Sequence, residues 1–190
     1  QVVLPGQISL AVGTDGTVVL LVQENGGAPG FVALRSLPNA AENTTVISGV
    51  TSGELVLDSA DDGRVYYFAR DASVGSVDLA GAEDVALVHG TVTGTVSTSA
   101  ASSVWIEHMT LGGLSMDHAG TELTLLDSNV GEIAFNETAS VTVADNRIQT
   151  VEVNATPTGV ITRNEIGGGA IGVTLNAPAP MFDNIIRGSA

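Results

Sequence analysis

The chain has 190 residues, 44% hydrophobic and only 4% aromatic, with 21 acidic against 6 basic residues and a net charge of −15. That length is one domain or one solenoid body, and apolar residues spread throughout exclude a disordered chain. All six basic residues are Arg, and a field of this sign repels nucleic acid and anionic membranes, so neither is expected as a partner. The absence of cysteine rules out disulfides, thiolate zinc sites and a Cys nucleophile. No apolar run reaches the ~18 residues of a membrane-spanning helix. A first residue of Gln rather than Met points to removal of a signal peptide or a longer N-terminal region.

Residues 1–44 are expected to form an N-terminal cap or irregular first coils. Ile8, Leu10 and Val12 alternate, Thr17 to Val22 is a continuous apolar run, and Phe31 to Leu34 is another short strand. Gly-rich breaks at Gly13–Gly16 and Gly26–Gly30 separate them. A cap here would cover the strand edges that an open solenoid end exposes.

From residue 45 to 190 a repeat of about 18 residues takes over. Val104, Leu123, Val141 and Gly159 open coils 19, 18 and 18 positions apart, each followed by the same apolar pattern at the second, seventh, tenth and twelfth positions. A period this short is too small for a helix pair and fits one coil of a β-solenoid. Extending backwards, Val85 opens a coil, Tyr67 and Ala69 another completed by Val74, Val77 and Leu79, and Thr45 and Ile47 a looser one ending near Leu55 and Leu57. Forwards, Ala179 and Met181 open a last, incomplete coil, making about seven. Alternation supplies the strands, as in Val141 and Val143 in with Thr142 out. Stacking buries Ile106, Leu125, Val143, Ile161 and Met181 in one column, and Leu111, Val130, Ile148, Ile166 and Ile186 in another. The fifth position reads Met109, Ser128, Asn146, Asn164, Asn184, which predicts an amide ladder at one turn. The chain stops in mid-coil at Ala190, so a longer rod or a second subunit is expected at that end.

Phe182-Asp183-Asn184-Ile185-Ile186-Arg187-Gly188, with Asn146-Arg147-Ile148 and Asn164-Glu165-Ile166, resembles the right-handed parallel β-helix repeats of the pectate-lyase superfold. The resemblance covers residues 67–190 and implies an all-β right-handed parallel β-helix. That superfold includes polysaccharide lyases, glycoside hydrolases, epimerases, tailspikes and adhesins, so fold analogy does not choose a function.

The fourth position after each coil start is ionisable in seven successive coils: Asp71, His89, His108, Asp127, Asp145, Arg163 and Asp183. Equivalent positions of a parallel β-helix stack ~4.8 Å apart, which predicts a continuous strip along one edge. Arg163 then lies between Asp145 and Asp183, and Asp127 beside Asp145 is a like-charge pair. Two close carboxyls, one protonated and one ionised, are the minimum equipment for glycoside hydrolysis. On this reading Asp127 and Asp145 are candidate catalytic residues with His108 orienting them or sharing a proton. His89, Arg163, Trp105, Asp71 and Asp183 are candidate polysaccharide contacts, with Trp105 facing outward to stack on a sugar ring. The same carboxylates and imidazoles could hold a cation, and calcium is the cofactor to consider. A third reading makes the strip a solvated face whose alternating signs avoid repulsion.

Weaker signals are Asp58, Asp61 and Asp62 with Gly63, which have calcium-loop composition but no EF-hand spacing. Sequons occur at Asn43, Asn136 and Asn154. The expected function is an extracellular, cell-surface or virion-surface rod that binds polysaccharide along its side and processes it if the strip is catalytic (lyase or hydrolase type). The alternatives are a stalk, adhesin or tailspike body that assembles as a homo-oligomer such as a trimer, and an acidic calcium-binding module.

Overall fold

The structure, a computed structural model, describes residues 7–12, 18–23, 30–34, 44–47, 53–68, 72–168 and 172–187. Asn43, Ala69 and Asp71 lie outside the described residues. Strands β1 (Gln7–Val12), β2 (Val18–Gln23) and β3 (Gly30–Leu34) form an antiparallel sheet of their own in the order β1-β2-β3. Short breaks between the apolar runs suit such a meander, because antiparallel neighbours need only tight turns.

Among the described residues from Thr44 onward every strand pairing is parallel. The chain forms a parallel β-solenoid of about seven turns. The first turn holds β4 (Thr44–Ile47) and β5 (Glu54–Leu57); the second, β6 (Val65–Phe68), β7 (Ser73–Val74) and β8 (Ser76–Ala80). The next two run as single bent strands, β9 (Val85–Ala100) and β10 (Ser103–Met116). Then follow β11 (Glu122–Leu126) with β12 (Asn129–Phe135), and β13 (Ser140–Ala144) with β14 (Arg147–Val153). The last turns hold β15 (Thr158–Thr162), β16 (Glu165–Gly167) and β17 (Val173–Leu175), then β18 (Met181–Phe182) and β19 (Ile185–Arg187).

Each central coil has three straight stretches that stack on their equivalents. In β10 they are residues 103–107, 110–111 and 113–116, paired with β11 and then with two parts of β12. The inward columns match those expected: Ile106, Leu125, Val143 and Ile161 pair in register and are almost fully buried. Leu111, Val130, Ile148 and Ile166 do the same on the second stretch, but Ile186, expected to be buried in that column, is 56% exposed on the last coil. Leu114, Ile133 and Val151, with Met116, Phe135 and Val153, fill the third. No coil buries these side chains without its neighbours, so stacking and core formation are one event.

The register departs from the regular repeat at both ends. Val65, Tyr66 and Tyr67 pair with Ala86, Leu87 and Val88. Tyr67 therefore sits beside Val88, not Val85, because this coil has extra residues between Phe68 and Ser73: β6 pairs with β9 at an offset of 21 residues and β7 at 18. Thr45 pairs with Tyr66 and Ile47 with Phe68, one step from the expected partners. After Gly159 the tenth and twelfth positions, residues 169 and 171, lie outside the described residues, and Val173 and Leu175 stand beside Val151 and Val153. Gly167 and Gly168, at φ +131° and +126°, let the chain leave the sheet there.

The second corner is built on glycine. A Cβ on Gly112 would lie 2.3 Å from the Thr93 carbonyl oxygen, and one on Gly131 2.3 Å from that of Gly112. At these two positions successive coils approach too closely for a side chain, whereas the next coil carries Gln149 at the equivalent place.

The first corner holds the predicted ladder. Asn146 and Asn164 are buried, and each amide nitrogen donates to a carbonyl of the preceding coil, Leu125 and Val143 respectively, at 3.0 Å. Each amide oxygen accepts the backbone N–H of the ladder residue before it: Ser128 N to Asn146 at 2.8 Å, Asn146 N to Asn164 and Asn164 N to Asn184 at 2.9 Å. Ser128 closes the series, its hydroxyl accepting from Met109 N. A second, exposed ladder runs at the third corner, where Asn154 donates to Asn136 Oδ1 and Asn176 to Asn154 Oδ1. It was not expected from sequence, and it engages the amides of both described sequon asparagines.

Removing the buried amide strands several polar groups at once, whereas water replaces the exposed one. Asn164→Ala is expected to lower unfolding stability by ~3 kcal/mol and Asn154→Ala by less than ~1 kcal/mol, measured by urea denaturation.

Candidate functional site

The ionisable strip occupies the residue just before the buried ladder. His89, His108, Asp127, Asp145, Arg163 and Asp183 have φ between 46° and 62°, all in the left-handed region. Asp and His are enriched there among non-glycine residues because short polar side chains ease the local crowding. The turn conformation therefore selects much of the residue chemistry that the strip displays. The strip is continuous from His89 to Asp183, since the strands on either side of it pair in register.

Within the strip the side chains sort into local groups. His89 stacks on Tyr67, with ring centroids 5.3 Å apart and planes within 6°. Its Nδ1 lies 3.2 Å from the Phe68 carbonyl oxygen. Arg163 grips Asp145 with two parallel bonds, Nε to Oδ1 and a terminal nitrogen to Oδ2, each 2.8 Å. The hydrogen bonds and then the charge of Asp145 hold the guanidinium proton above its ordinary range, with smaller help from Asp183 and Asp127. Both oxygens of Asp145 are thus engaged by Arg163. Asp183 is exposed on the last coil.

Asp127 belongs to another group. A carboxylate oxygen of Glu107, a ring nitrogen of His108 and a carboxylate oxygen of Asp127 all lie within 4.8 Å of one another. Glu107 was missed in the sequence. Its side chain is 1% exposed, and in register it lies between Val88 and Leu126, two buried aliphatic residues. The available signal was an acidic residue in a column otherwise apolar in the neighbouring coils. The indole Nε1 of Trp105 donates to Glu107 Oε2 at 2.9 Å, and Glu107 Oε1 lies 3.7 Å from His108 Nε2. Trp105 and Glu107 share one side of β10 because they are two residues apart on a strand.

Trp105, partly exposed, lines a shallow depression of about 230 Å³ with Ser103, Thr124, Thr142, Asp84 and Glu122. A larger depression of about 570 Å³ lies over the glycine corner, lined in part by Gly112, Gly131, Arg147 and Glu165. Glu165 bridges Arg147 at 3.4 Å and Arg187 at 2.8 Å there. That second hollow has no aromatic wall and stands apart from the strip.

The acidic loop is a turn device. Asp58 accepts from Ala60 N, Asp61 accepts from Asp58 N and from the Tyr66 hydroxyl, and Asp62 accepts from Glu83 N. Burial, then the bond to Asp61, pushes the Tyr66 phenol well above its usual range. Among the described residues no helix is long and apolar enough to cross a membrane.

Comparison with family models, with curated proteins and with solved structures found no match.

If conformation selects the strip, then Asp127→Asn and Asp127→Gly keep stability within ~1 kcal/mol of the parent, while Asp127→Val loses a further ~1–3 kcal/mol. Thermal and urea unfolding of the three variants checks the ranking.

Proposed function

We propose that this chain is a β-solenoid rod that binds polysaccharide on its lateral face around Trp105. The observation that carries the reading is the depression beside that indole. An aromatic wall with hydroxyls from Ser103, Thr124 and Thr142 and carboxylates from Asp84 and Glu122 is a set of groups suited to a sugar ring and its hydroxyls. The bond from Trp105 Nε1 to Glu107 holds the indole in one orientation before any ligand arrives, which lowers the ordering entropy on binding. Shallow relief over several coils suits an extended chain better than a small molecule.

Asp84 and Glu122 make a neutral glycan the better ligand than a polyuronate, and Arg163, tied to Asp145, offers little to an acidic sugar. Binding without cleavage is the preferred form, because Asp145 is engaged by Arg163. The right-handed, pectate-lyase-like form of the β-helix and an extracellular, cell-surface or virion location belong to the same proposal. A calcium-binding role has less support, since the acidic loop uses its carboxylates to bond backbone N–H groups and Tyr66.

A second reading, a non-catalytic stalk that assembles end to end, is favoured by one observation. Leu175, Phe182, Ile185 and Ile186 on the last coils are each more than half exposed, although Ile186 continues the buried column through Ile166. Analytical ultracentrifugation of the chain and of Ile186→Asp tests it, self-association lost in the variant being the supporting result.

The test of the main reading is thermal melting and affinity electrophoresis against neutral and acidic polysaccharides, with a product assay alongside. The expected outcome is a melting shift with a neutral glycan that Trp105→Ala removes, and no turnover in the parent. Glycan binding unchanged in Trp105→Ala would overturn the site, and products lost in Asp127→Asn or Asp145→Asn would establish a catalytic strip instead.

A further inference from the structure

One wall of the Trp105 depression takes a residue from each of four successive coils: Asp84, Ser103, Glu122 and Ser140. Ser103, Glu122 and Ser140 stand in register, and Asp84 precedes Val85, whose partner Val104 follows Ser103. Carboxylates therefore alternate with hydroxyls, and Asp84 and Glu122 lie two coils apart, ~9.6 Å. Among the described residues no hydrogen bond or ion pair engages either carboxylate, and both side chains are exposed. A hollow of about 310 Å³ adjoins the depression, shares Asp84, Ser103 and Glu122 with it and adds Glu83. No arginine lines either hollow.

We propose that the ligand of this face is a β-1,4-linked glycan carrying protonated amines, a deacetylated hexosamine chain laid along the solenoid axis. The inference rests on the glycan reading above and names the class of sugar. Sign and spacing both select it. In an extended β-1,4-linked chain each sugar is turned over relative to the last, so a substituent recurs on one side at every second sugar. That repeat, one disaccharide, is about two coils long. An amine facing Asp84 therefore places the next amine on that side at Glu122, with the intervening sugar opposite Ser103. Trp105 stands two residues beyond Ser103 on the same strand and the same side. Its indole stacks on a sugar ring, and a protonated amine over its face gains a cation–π attraction. The net charge of −15 draws such a chain in from a distance. The face thus ranks its ligands, amine-bearing glycan before neutral glycan and neutral glycan before polyuronate.

The experiment is isothermal titration with the β-1,4-linked glucosamine hexamer, with its fully N-acetylated form and with hexalysine, at about pH 5.5, where amines are protonated. The expected result is that the glucosamine hexamer binds at least about fivefold more tightly than the acetylated one, and more tightly than hexalysine. Raising the salt concentration should shrink the difference. Asp84→Asn with Glu122→Gln removes both charges and keeps the shapes, Asn being compatible with the left-handed φ of 55° at position 84. That double variant should bind the two hexamers alike. Glu132→Gln with Glu137→Gln removes two exposed charges away from the depression, and the preference should persist in it. Equal binding of the two hexamers to the parent overturns the inference, and loss of both in Trp105→Ala then leaves the glycan reading standing. Binding of neither hexamer is the failure of the glycan reading itself. A preference that survives the Asp84 and Glu122 changes, that disappears with Glu132 and Glu137, or that hexalysine matches also overturns the inference. Circular dichroism of each variant confirms that a loss of binding is not a loss of fold.

Discussion

From His89 to Asp183 the structure depends on one residue in each successive coil adopting a left-handed backbone conformation at the same corner. A parallel stack keeps its hydrogen bonds only if every coil turns at the same place and by the same angle. The left-handed residue sets the turn, and the Asn or Ser after it locks the turn to its neighbours. Asn146 and Asn164 satisfy backbone donors and acceptors that would otherwise be orphaned inside the corner. Among the described residues no buried side-chain nitrogen or oxygen is left without a partner. The opposite solution appears at the second corner, where Gly112 and Gly131 remove the side chain so that backbones can meet. Amide bonding and close approach are two ways of making successive coils superimpose.

The same constraint gives the surface its chemistry. A left-handed position favours Asp and His, and stacking brings those residues into line. Neighbours along the line then interact by geometry: Arg163 closes on Asp145, His89 lies on Tyr67, and Asp127 meets His108 and Glu107. A line of ionisable groups is therefore a consequence of folding before it is a sign of catalysis. What the turn does not require is Glu107. A carboxylate buried between Val88 and Leu126 has no role in shaping the turn, and that sets it apart from the rest of the strip.

The fold was legible because its two main forces act at a fixed sequence period. Apolar positions at the second, seventh, tenth and twelfth residues predicted the columns through Ile106, Leu111, Leu114 and Met116, and the structure places them so. Legibility failed where coil length changed. Tyr67 was aligned with Val85 because apolar residues are common enough on these strands to match at a wrong offset, and the segment between β6 and β7 added residues that periodicity does not see. The glycines after β16 concealed an insertion for the same reason, since a loop carries no apolar signature.

The candidate site was legible only as a line of residue types. Sequence determined that His108, Asp127, Asp145 and Arg163 stack, since register follows from the buried columns and a single slip would expose the core. It also determined the Asn ladder and the outward side of Trp105. Tertiary structure alone decided which members of the line touch. Arg163 chose Asp145 through two parallel bonds, which depends on side-chain reach and angle across the gap between coils. It alone decided that Glu107 is buried, because alternation on a strand distinguishes one side of the sheet from the other but not open solvent from a covered corner. Burial is a property of everything packed around a residue, and the strand neighbours of Glu107, Val88 and Leu126, each come from a coil about 19 residues away.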